Sequence, residues 1–363
     1  MLLRAAVVAA LSLTCVACAA VSPEAQSDSP KMLVGLGAPV PAAAETQNVA
    51  TERGDAADDP EIWVDPKNSD RVVIFGTDKQ AGLYTYDLAG KATAFIPDGK
   101  LNNVDLRDGF ATPQGERVLV GASDRGRMGV ALYLMNPATL TVSPWGLAKL
   151  DLTEPYGFCM GRRGDDFITV TNGTDGQVRQ VKIAVGADGA MVATEERRFS
   201  VGSQTEGCVV DDAKGVLYIG EENVGVWRYD LDPASTAPRV RIAEAPSQML
   251  KPDVEGMSLL REGEKTWLIV SSQGDSAFAV WRVDGDAPIY RGRFSVVSAA
   301  GVDGVTGTDG VAAHAGPVGP YTAGLVVMQD DVDDLGEAVT TNRVRQNFKL
   351  VDWRDVKSTL NLD

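Results

Sequence analysis

The fold can be predicted from VVIFGTD, residues Val72–Asp78, because its pattern recurs along the chain. β-Branched and aromatic residues that end in a glycine and a polar pair are typical of a buried β-strand followed by a turn. A second apolar stretch follows most of the repeats, as in GLYTYDL (82–88) and FAVWRVDG (278–285). The five later repeats are RVLVGASD (117–124), DFITVTNG (166–173), VLYIGEEN (216–223), WLIVSSQGD (267–275) and GLVVMQDD (324–331).

The recurring strand has a nearly constant period. Its successive anchor residues lie 45, 50, 49, 51 and 57 residues apart. These anchors are Phe75, Val120, Val170, Ile219, Val270 and Val327. A repeated four-stranded unit of this length is the size of a propeller blade, and helical periodicity is almost absent from Asp58 onward. We therefore predict an all-β fold, a six-bladed β-propeller of mostly four-stranded antiparallel blades around a central channel.

The predicted propeller domain spans residues 51–363. A ring of blades usually closes by pairing strands from the two ends of the chain. NFKLVDW (Asn347–Trp353) is therefore expected in the closing blade.

The N-terminus resembles an export signal over residues 1–18, with Arg4 before the short apolar segment Ala5–Leu13. This segment is too short to span a membrane. CVAC before Ala19 resembles a lipoprotein signal with Cys18 as the lipidated residue, and ordinary cleavage near ACA is the alternative. Residues 19–50, rich in Ala, Pro, Ser and Gln, are predicted to be a flexible tether. We expect a periplasmic, outer-membrane lipoprotein or extracellular location, with membrane anchoring only through Cys18.

The charge balance limits the class of ligand. The chain has 50 acidic and 34 basic residues, a net charge of −16, which argues against nucleic-acid binding. An anionic substrate would need a bound cation or a locally basic pocket. We expect a monomer that does not bind nucleic acid.

Cysteine and histidine are scarce. Cys159 and Cys208 follow the signal, and export permits a disulfide between them. Of the two states, we favour two isolated buried thiols. No CxxC pair or zinc-type spacing is present. The single histidine, His314, makes a zinc or iron centre unexpected and is predicted to lie at the surface or in packing.

A short stretch precedes each recurring strand and is predicted to be the innermost strand of its blade. Four of these stretches contain a glycine at spacings of 50, 49 and 54, and an acid or a phenol stands just before it. These pairs are Tyr156–Gly157, Glu206–Gly207, Glu255–Gly256 and Asp309–Gly310. Asp58 and Asp59 hold the comparable place in the first repeat, and Asn102, Asn103 and Asp105 in the second. Matching positions face the same end of the channel, so we expect these side chains to meet at one mouth.

Such a set of acids predicts a calcium site. Like charges this close need a counter-charge, and oxygen ligands without His or Cys suit calcium. The alternative is that the acids only cap turns of the strands. The loops after the recurring strands add Asp78, Glu221, Glu222, Gln273, Asp275, Asp330 and Asp331, of which Asp330 is also predicted to bind metal.

Two basic residues, Lys79 and Arg125, follow the recurring strand in neighbouring repeats. Basic groups beside bound cations describe a site for a polyanion such as a phosphate ester. The chain has no arginine-flanked nucleophilic histidine, no Cys-x5-Arg loop and no aspartyl-phosphate motif. Direct attack by a metal-activated water is the phosphatase chemistry that remains.

Several motifs resemble the β-propeller phytases over nearly the whole chain, from about Asp55 to Trp353. They are DAADDPEIWVDP, GKLNNVDLR, EPYGFCMG, VGSQTEGCVVDD, LYIGEEN, PDVEGMSLL, SSQGDSAFAV, TDGVAAHA and QNFKLVDW. The resemblance implies a six-bladed propeller that needs several structural and catalytic calcium ions. It also implies hydrolysis of phytate, as its calcium salt, to lower inositol phosphates and phosphate.

The resemblance also implies roles for individual residues. Catalytic roles fall on Glu206, Asp253, Glu255, Asp309 and Tyr156. Phosphate binding falls on Lys79, Arg125, Tyr156 and Glu222. Calcium binding falls on Asp58, Asp59, Asn102, the backbone of Val104, Glu206, Glu222, Asp253, Glu255, Gln273, Asp303 and Asp309, with Asp303 at a tighter structural ion.

Two positions depart from the family pattern. Gln80 and Thr174 stand where family members often carry phosphate-binding lysines. We therefore expect a complete cleavage centre and a weaker neighbouring phosphate subsite. Two other functions remain open from the sequence, a calcium-dependent lactonase and a non-catalytic envelope scaffold.

Overall fold

Twenty-five strands form in the computed structural model, which describes residues 36–52, 54–333 and 345–362. The predicted export signal, Cys18 and the start of the predicted tether lie outside the described residues. In chain order the strands are β1 (Ala38–Pro41), β2 (Ala44–Glu45), β3 (Ala57–Asp65), β4 (Asn68–Asp78), β5 (Gly82–Tyr86), β6 (Ala92–Ile96), β7 (Leu101–Thr112), β8 (Gly115–Asp124), β9 (Gly129–Met135), β10 (Val142–Lys149), β11 (Pro155–Arg163), β12 (Asp166–Gly173), β13 (Gln177–Val185), β14 (Met191–Ser200), β15 (Thr205–Asp211), β16 (Val216–Glu221), β17 (Gly225–Asp230), β18 (Val240–Glu244), β19 (Val254–Glu262), β20 (Lys265–Ser272), β21 (Ala277–Arg282), β22 (Ile289–Val297), β23 (Val311–Ala315), β24 (Gly324–Asp330) and β25 (Asn347–Asp352).

The strands form six sheets, which confirms the predicted six-bladed propeller. Blades 1 to 4 are the antiparallel sheets β3–β6, β7–β10, β11–β14 and β15–β18. Blade 5 contains β19–β22 and gains β1 as a fifth strand, and blade 6 contains β23–β25 and is completed to four strands by β2. The first strand of each blade contacts the first strand of the next, and β23 contacts β3, so these six strands surround the channel. All six predicted anchor residues lie on the second strand of a blade.

Strands from the two chain ends close the ring. β2 pairs with β25 in blade 6, with Ala44 opposite Leu350, so NFKLVDW lies in the closing blade as predicted. β1 pairs in parallel with β22 in blade 5. The predicted tether is therefore wrong for residues 38–45, which belong to the propeller. Composition missed this because an edge strand needs few apolar residues, here mainly the fully buried Val40.

One α-helix occurs among the described residues, α1 (Trp353–Leu360), which the sequence reading missed. Asp352 caps it by accepting a hydrogen bond from the Arg354 amide. Trp353 and Val356 are its buried residues. With only two turns, the helix offers too few positions for a clear helical period.

No helix in the described part of the chain is long and apolar enough to cross a membrane.

The described hydrophobic core consists of six clusters, each lying mainly between two neighbouring blades. Between blades 5 and 6, for example, Trp267 packs against Trp353 with ring centroids 6.4 Å apart. Blade contacts of this kind hold the innermost strands in place around the channel.

Cys159 and Cys208 form a disulfide in the cluster between blades 3 and 4, with their Cα atoms 5.5 Å apart. The expectation of two free thiols was therefore wrong. The cysteines are 49 residues apart, which is one blade repeat, so they occupy matching positions on neighbouring inner strands. A disulfide is consistent with export.

Candidate active site

Asp105 lies in the regularly paired part of its inner strand, opposite Gly121. The other acids, amides and phenol predicted on the first five inner strands lie at an irregularity of the strand. The pairing of the inner strand with its neighbour shifts register there, and bulges of this kind redirect side chains beside functional sites. The shifts fall between Ala57 and Pro60, Leu101 and Val104, Pro155 and Phe158, Thr205 and Cys208, and Val254 and Met257.

The aligned glycines allow the inner strands to approach one another closely. A Cβ on Gly157 would lie 1.8 Å from the Glu206 carbonyl oxygen. A Cβ on Gly207 would lie 2.1 Å from the Glu255 carbonyl oxygen. A Cβ on Gly310 would lie 2.1 Å from Oδ1 of Asp59. The glycines therefore make room for the neighbouring acid-bearing backbone.

Three buried glutamates form what we call the central acid cluster, consisting of Glu206, Glu222 and Glu255. One carboxylate oxygen of each lies within 4.8 Å of the others. Burial, reinforced by repulsion from Glu206 and Asp253, raises the pKa of Glu222 to about 9. Burial likewise raises the pKa of Glu206, and burial and its two neighbours raise that of Glu255. Among the described residues, Oε1 of Glu222 and Oε2 of Glu255 accept no hydrogen bond.

Lys79 lies beside this cluster, surrounded by acids. Its Nζ is 2.9 Å from Asp55, 3.0 Å from Asp58 and 3.1 Å from Asp309. Burial alone would lower the pKa of Lys79, but Asp309, Asp55 and Asp58 together raise it well above its usual range. Lys79 is only 3% exposed, so its charge faces carboxylates rather than solvent.

Asp58 is fully buried next to Lys79. Burial raises its pKa well above the usual range, against the attraction of the Lys79 ammonium group. Despite the 3.0 Å ion pair, neither carboxylate oxygen of Asp58 has a partner with hydrogen-bond geometry among the described residues. Burial of carboxylate oxygens without hydrogen-bond partners costs free energy unless a cation binds them.

Asn102 joins the basic and acidic sides of the site. Its side-chain amide donates to Oε1 of Glu206 at 2.6 Å, and its carbonyl oxygen accepts from Arg125 at 3.2 Å. Arg125 also donates to Glu154 at 2.7 Å and lies over the ring of Tyr156. Burial and nearby Glu206 raise the pKa of Tyr156, so its phenol stays protonated.

The remaining predicted residues of this mouth lie around the cluster. Gln273 donates a short hydrogen bond to Asp309. Asp253 is half-buried, with Asn223 3.4 Å from its Oδ1. Asp59 accepts from the Val104 amide at 3.0 Å and lines a channel cavity of about 220 Å³.

Asp303 and Asp330 lie elsewhere, around the fully buried Lys349. Its Nζ forms ion pairs with Glu45 at 2.5 Å, with Asp303, and with Asp330 at 3.3 Å. Carboxylate oxygens of Glu45, Asp303 and Asp333 also lie within 4.8 Å of one another. Burial raises the pKa of Asp330 to about 8. We call these five residues the Lys349 cluster.

Several loop acids counted toward the predicted mouth have structural hydrogen bonds instead. Asp78 accepts from Thr51 and from the Gln80 amide. Glu221 accepts from Ser203 and Trp227, and Asp275 from Ser272 and Arg293. These hydrogen bonds agree better with the alternative that these acids cap turns than with a role in binding metal.

Sequence reasoning missed four participants. Asp55 precedes the predicted acids and pairs with Lys79, and Glu154 pairs with Arg125. Asp55 lies in the motif DAADDPEIWVDP and Glu154 in EPYGFCMG, so their position next to predicted site residues could have identified them. Glu45 and Lys349 come from opposite chain ends, 304 residues apart, and no local pattern joins them.

His314 lies on β23 and is half-buried, in line with the expected packing role. Burial lowers its pKa, so it is neutral at pH 7.

Comparison with known proteins identifies the family. The profile of the phytase family matches residues 1–363. The chain belongs to the phytase family. It is 33% identical over 333 residues to the 3-phytase of Bacillus subtilis (strain 168), covering 88% of this chain and 85% of that protein.

A solved structure shares the fold alone. It is an auxiliary nutrient binding protein from Bacteroides thetaiotaomicron, with a TM-score of 0.50 and 10% identity. The likeness covers 86% of this chain and 75% of that one.

Family membership decides between the functions that the sequence left open. The protein is a phytase, which is an enzyme, rather than a lactonase or a scaffold.

Proposed function

We propose that this phytase depends on calcium and hydrolyses phosphate esters of phytate at the central acid cluster, by direct attack of water. The observation that carries the proposal is the cluster itself. Three glutamates are buried with their oxygens within 4.8 Å, and Glu222 and Glu255 each keep an oxygen that accepts no hydrogen bond from the described residues. Such a site favours a ligand that supplies positive charge.

The donor set fits calcium. Every side-chain ligand we assign contributes oxygen, and none contributes nitrogen or sulfur, as a hard cation prefers. We assign calcium binding here to Asp58, Asp59, Asn102, the Val104 backbone, Glu206, Glu222, Asp253, Glu255, Gln273 and Asp309. When bound, calcium would offset the acidic charge, polarise phosphoryl oxygens and lower the pKa of water.

We assign further structural calcium to the Lys349 cluster, through Asp303 and Asp330. Lys349 already neutralises part of the charge of its acids. The cluster also joins β2 to β24 and β25, so an ion there would stabilise closure of the ring.

Phosphate groups are assigned to the basic side of the site. Arg125 adjoins the cluster through Asn102, and a guanidinium group suits the oxygens of a phosphate. Lys79 contributes positive charge between Asp58 and Asp309. Tyr156 keeps its proton and can donate a hydrogen bond, and Glu222 borders the same space.

Water is the nucleophile that the chain favours. Both described cysteines are joined in the disulfide, and the single histidine lies on β23. We assign catalytic roles to Glu206, Asp253, Glu255, Asp309 and Tyr156, which would hold and orient water and the scissile phosphate.

We propose an exported, monomeric enzyme that acts on a small polyanion and binds no nucleic acid. The disulfide and the export-signal pattern support export. Fractionation of cells that express wild type or Cys18→Ala decides the compartment. Loss of membrane association in the variant would support lipidation, and unchanged soluble protein in both would contradict it.

Phosphate release from phytate, measured in excess calcium and in excess EGTA, tests the proposed function. We expect release only with calcium, and restored release when calcium is added back. Equal release in EGTA, from protein that holds no calcium by atomic absorption, would contradict calcium dependence.

A further inference from the structure

We propose that the Cys159–Cys208 disulfide is a positioning device for the active site, which holds Tyr156 and Glu206 in the geometry that binds calcium. This inference rests on the proposed function. The proposed function names the metal ligands, and the inference adds how the fold holds two residues of the site in position before the metal binds.

The disulfide lies directly behind two site residues. Cys159 is three residues after Tyr156 on β11, and Cys208 is two residues after Glu206 on β15. The register shifts that redirect Tyr156 and Glu206 end just before each cysteine, since regular pairing resumes at Phe158 and at Cys208. The bond therefore fixes the two strands where their irregular segments end.

The bond also joins matching positions of neighbouring blades. Cys159 pairs with the anchor Val170, and Cys208 with the anchor Ile219. The matching positions in the next two blades hold Met257, opposite Val270, and Ala312, opposite Val327. Neither Met257 nor Ala312 can form a disulfide, whereas the matching positions of blades 3 and 4 are linked covalently.

The site depends on close packing of these two strands. A Cβ on Gly157, next to Tyr156, would lie 1.8 Å from the carbonyl oxygen of Glu206. One carboxylate oxygen of Glu206 in turn lies within 4.8 Å of Glu222 and Glu255. Separation of β11 from β15 would move Tyr156 away from Glu206 and from the central acid cluster. A covalent bond between the two strands resists this movement.

Ligands held near their bound geometry bind a metal more tightly than mobile ones, because less order is lost on binding. Loss of the bond should therefore weaken calcium binding at the central acid cluster. A purely structural disulfide would lower thermal stability and leave the calcium affinity of the folded protein unchanged.

The test compares three purified proteins by calorimetric titration with calcium. They are wild type, Cys159→Ala/Cys208→Ala, and Val178→Ala. Val178 is buried in the same inter-blade cluster but lies on β13, so its variant removes packing from this cluster and leaves the sequence of the inner strands unchanged. The binding phase that disappears in Glu206→Gln marks the central acid cluster.

We expect the double variant to bind calcium in that phase at least tenfold more weakly, with a higher phytate KM. Val178→Ala should stay within twofold of wild type. If the double variant fails to fold, wild type reduced with TCEP in calcium buffer, with free thiols counted by mass spectrometry, gives the same comparison.

Unchanged calcium affinity after loss of the disulfide would overturn the inference, even if the melting temperature falls. Equal weakening in Val178→Ala would overturn it too, because general loss of packing would then explain the effect. Wild type that binds no calcium would overturn the proposed function itself, and the two failures are thereby distinguished.

Discussion

The side-chain amide of Asn102 donates a 2.6 Å hydrogen bond to Glu206, which links the inner strand of blade 2 to that of blade 4. The same side chain accepts from Arg125. A basic group assigned to phosphate and an acid assigned to calcium are thus held by one residue.

The variant Asn102→Ala removes both of these hydrogen bonds. Asn102→Ala should lower kcat/KM roughly 10- to 100-fold, because hydrogen bonds to charged groups contribute about 1.5–3 kcal/mol. Steady-state phosphate release from phytate measures the change. Asn136→Ala, in the turn between β9 and β10, is the control and should behave like wild type. Equal activity of both variants would contradict the bridging role.

The stability of the calcium-free protein should fall as pH rises, and bound calcium should oppose this fall. Burial raises the pKa of Glu222 from 4.5 to about 9 and that of Asp330 to about 8. The calcium-free native state therefore holds more protons than the unfolded chain between about pH 5 and pH 8, and its free energy of unfolding falls as pH rises. Calcium removes this penalty by stabilising the ionised acids.

The difference in melting temperature between calcium-loaded and resin-treated protein should therefore widen from pH 5 to pH 8. Thermal scans monitored by circular dichroism measure it. A constant or narrowing difference would show that these acids do not bind the ion.

The turn at Thr174 allows a gain of function. Thr174 follows Gly173, which pairs with Pro155 beside Tyr156, so the turn lies next to the phosphate side of the site. Thr174→Lys should lower the KM for phytate, since it adds a positive charge there. Thr139→Lys, in the exposed turn of blade 2, controls for the added charge. A phytate KM that does not fall in Thr174→Lys would refute the weaker-subsite hypothesis.

Lys349 is the buried cation of the second cluster. Lys349→Met should destabilise the calcium-free protein by roughly 3–5 kcal/mol, because it leaves buried carboxylates without their partner. Calcium should recover part of this loss if the cluster binds the ion. Urea unfolding with and without calcium tests both points.

Lys357→Met provides the matched control for Lys349→Met. The Lys357–Glu262 pair is about one-third exposed, so its loss should cost less than about 1 kcal/mol. Similar destabilisation by the two variants would contradict the role of Lys349.

The fold was predictable because it repeats. Anchors such as Phe75 and Val327 recur at nearly constant spacing. Few architectures other than a propeller have strand repeats of this length. The grouping of the acids on the inner strands could be predicted from the same repeat, since matching strand positions face one mouth of the channel.

What the sequence could not reveal depends on contacts across the chain. The pairing of Glu45 with Lys349 joins residues from opposite ends, and β2 looked like tether because its composition is that of a loop. The disulfide needed the blade geometry before its 49-residue spacing became meaningful. Lys79 was expected to face substrate, yet its burial among three acids depends on Asp309, 230 residues away.

Calcium titration combined with phosphate release from phytate, in wild type, Glu206→Gln and Glu255→Gln, tests most directly whether the central acid cluster binds calcium for catalysis. Exposed Glu116→Gln is the control. We predict that the two cluster variants lose a calcium-binding phase and at least 100-fold in turnover, while their circular dichroism spectra stay native. Wild-type calcium binding and turnover in both cluster variants would contradict it.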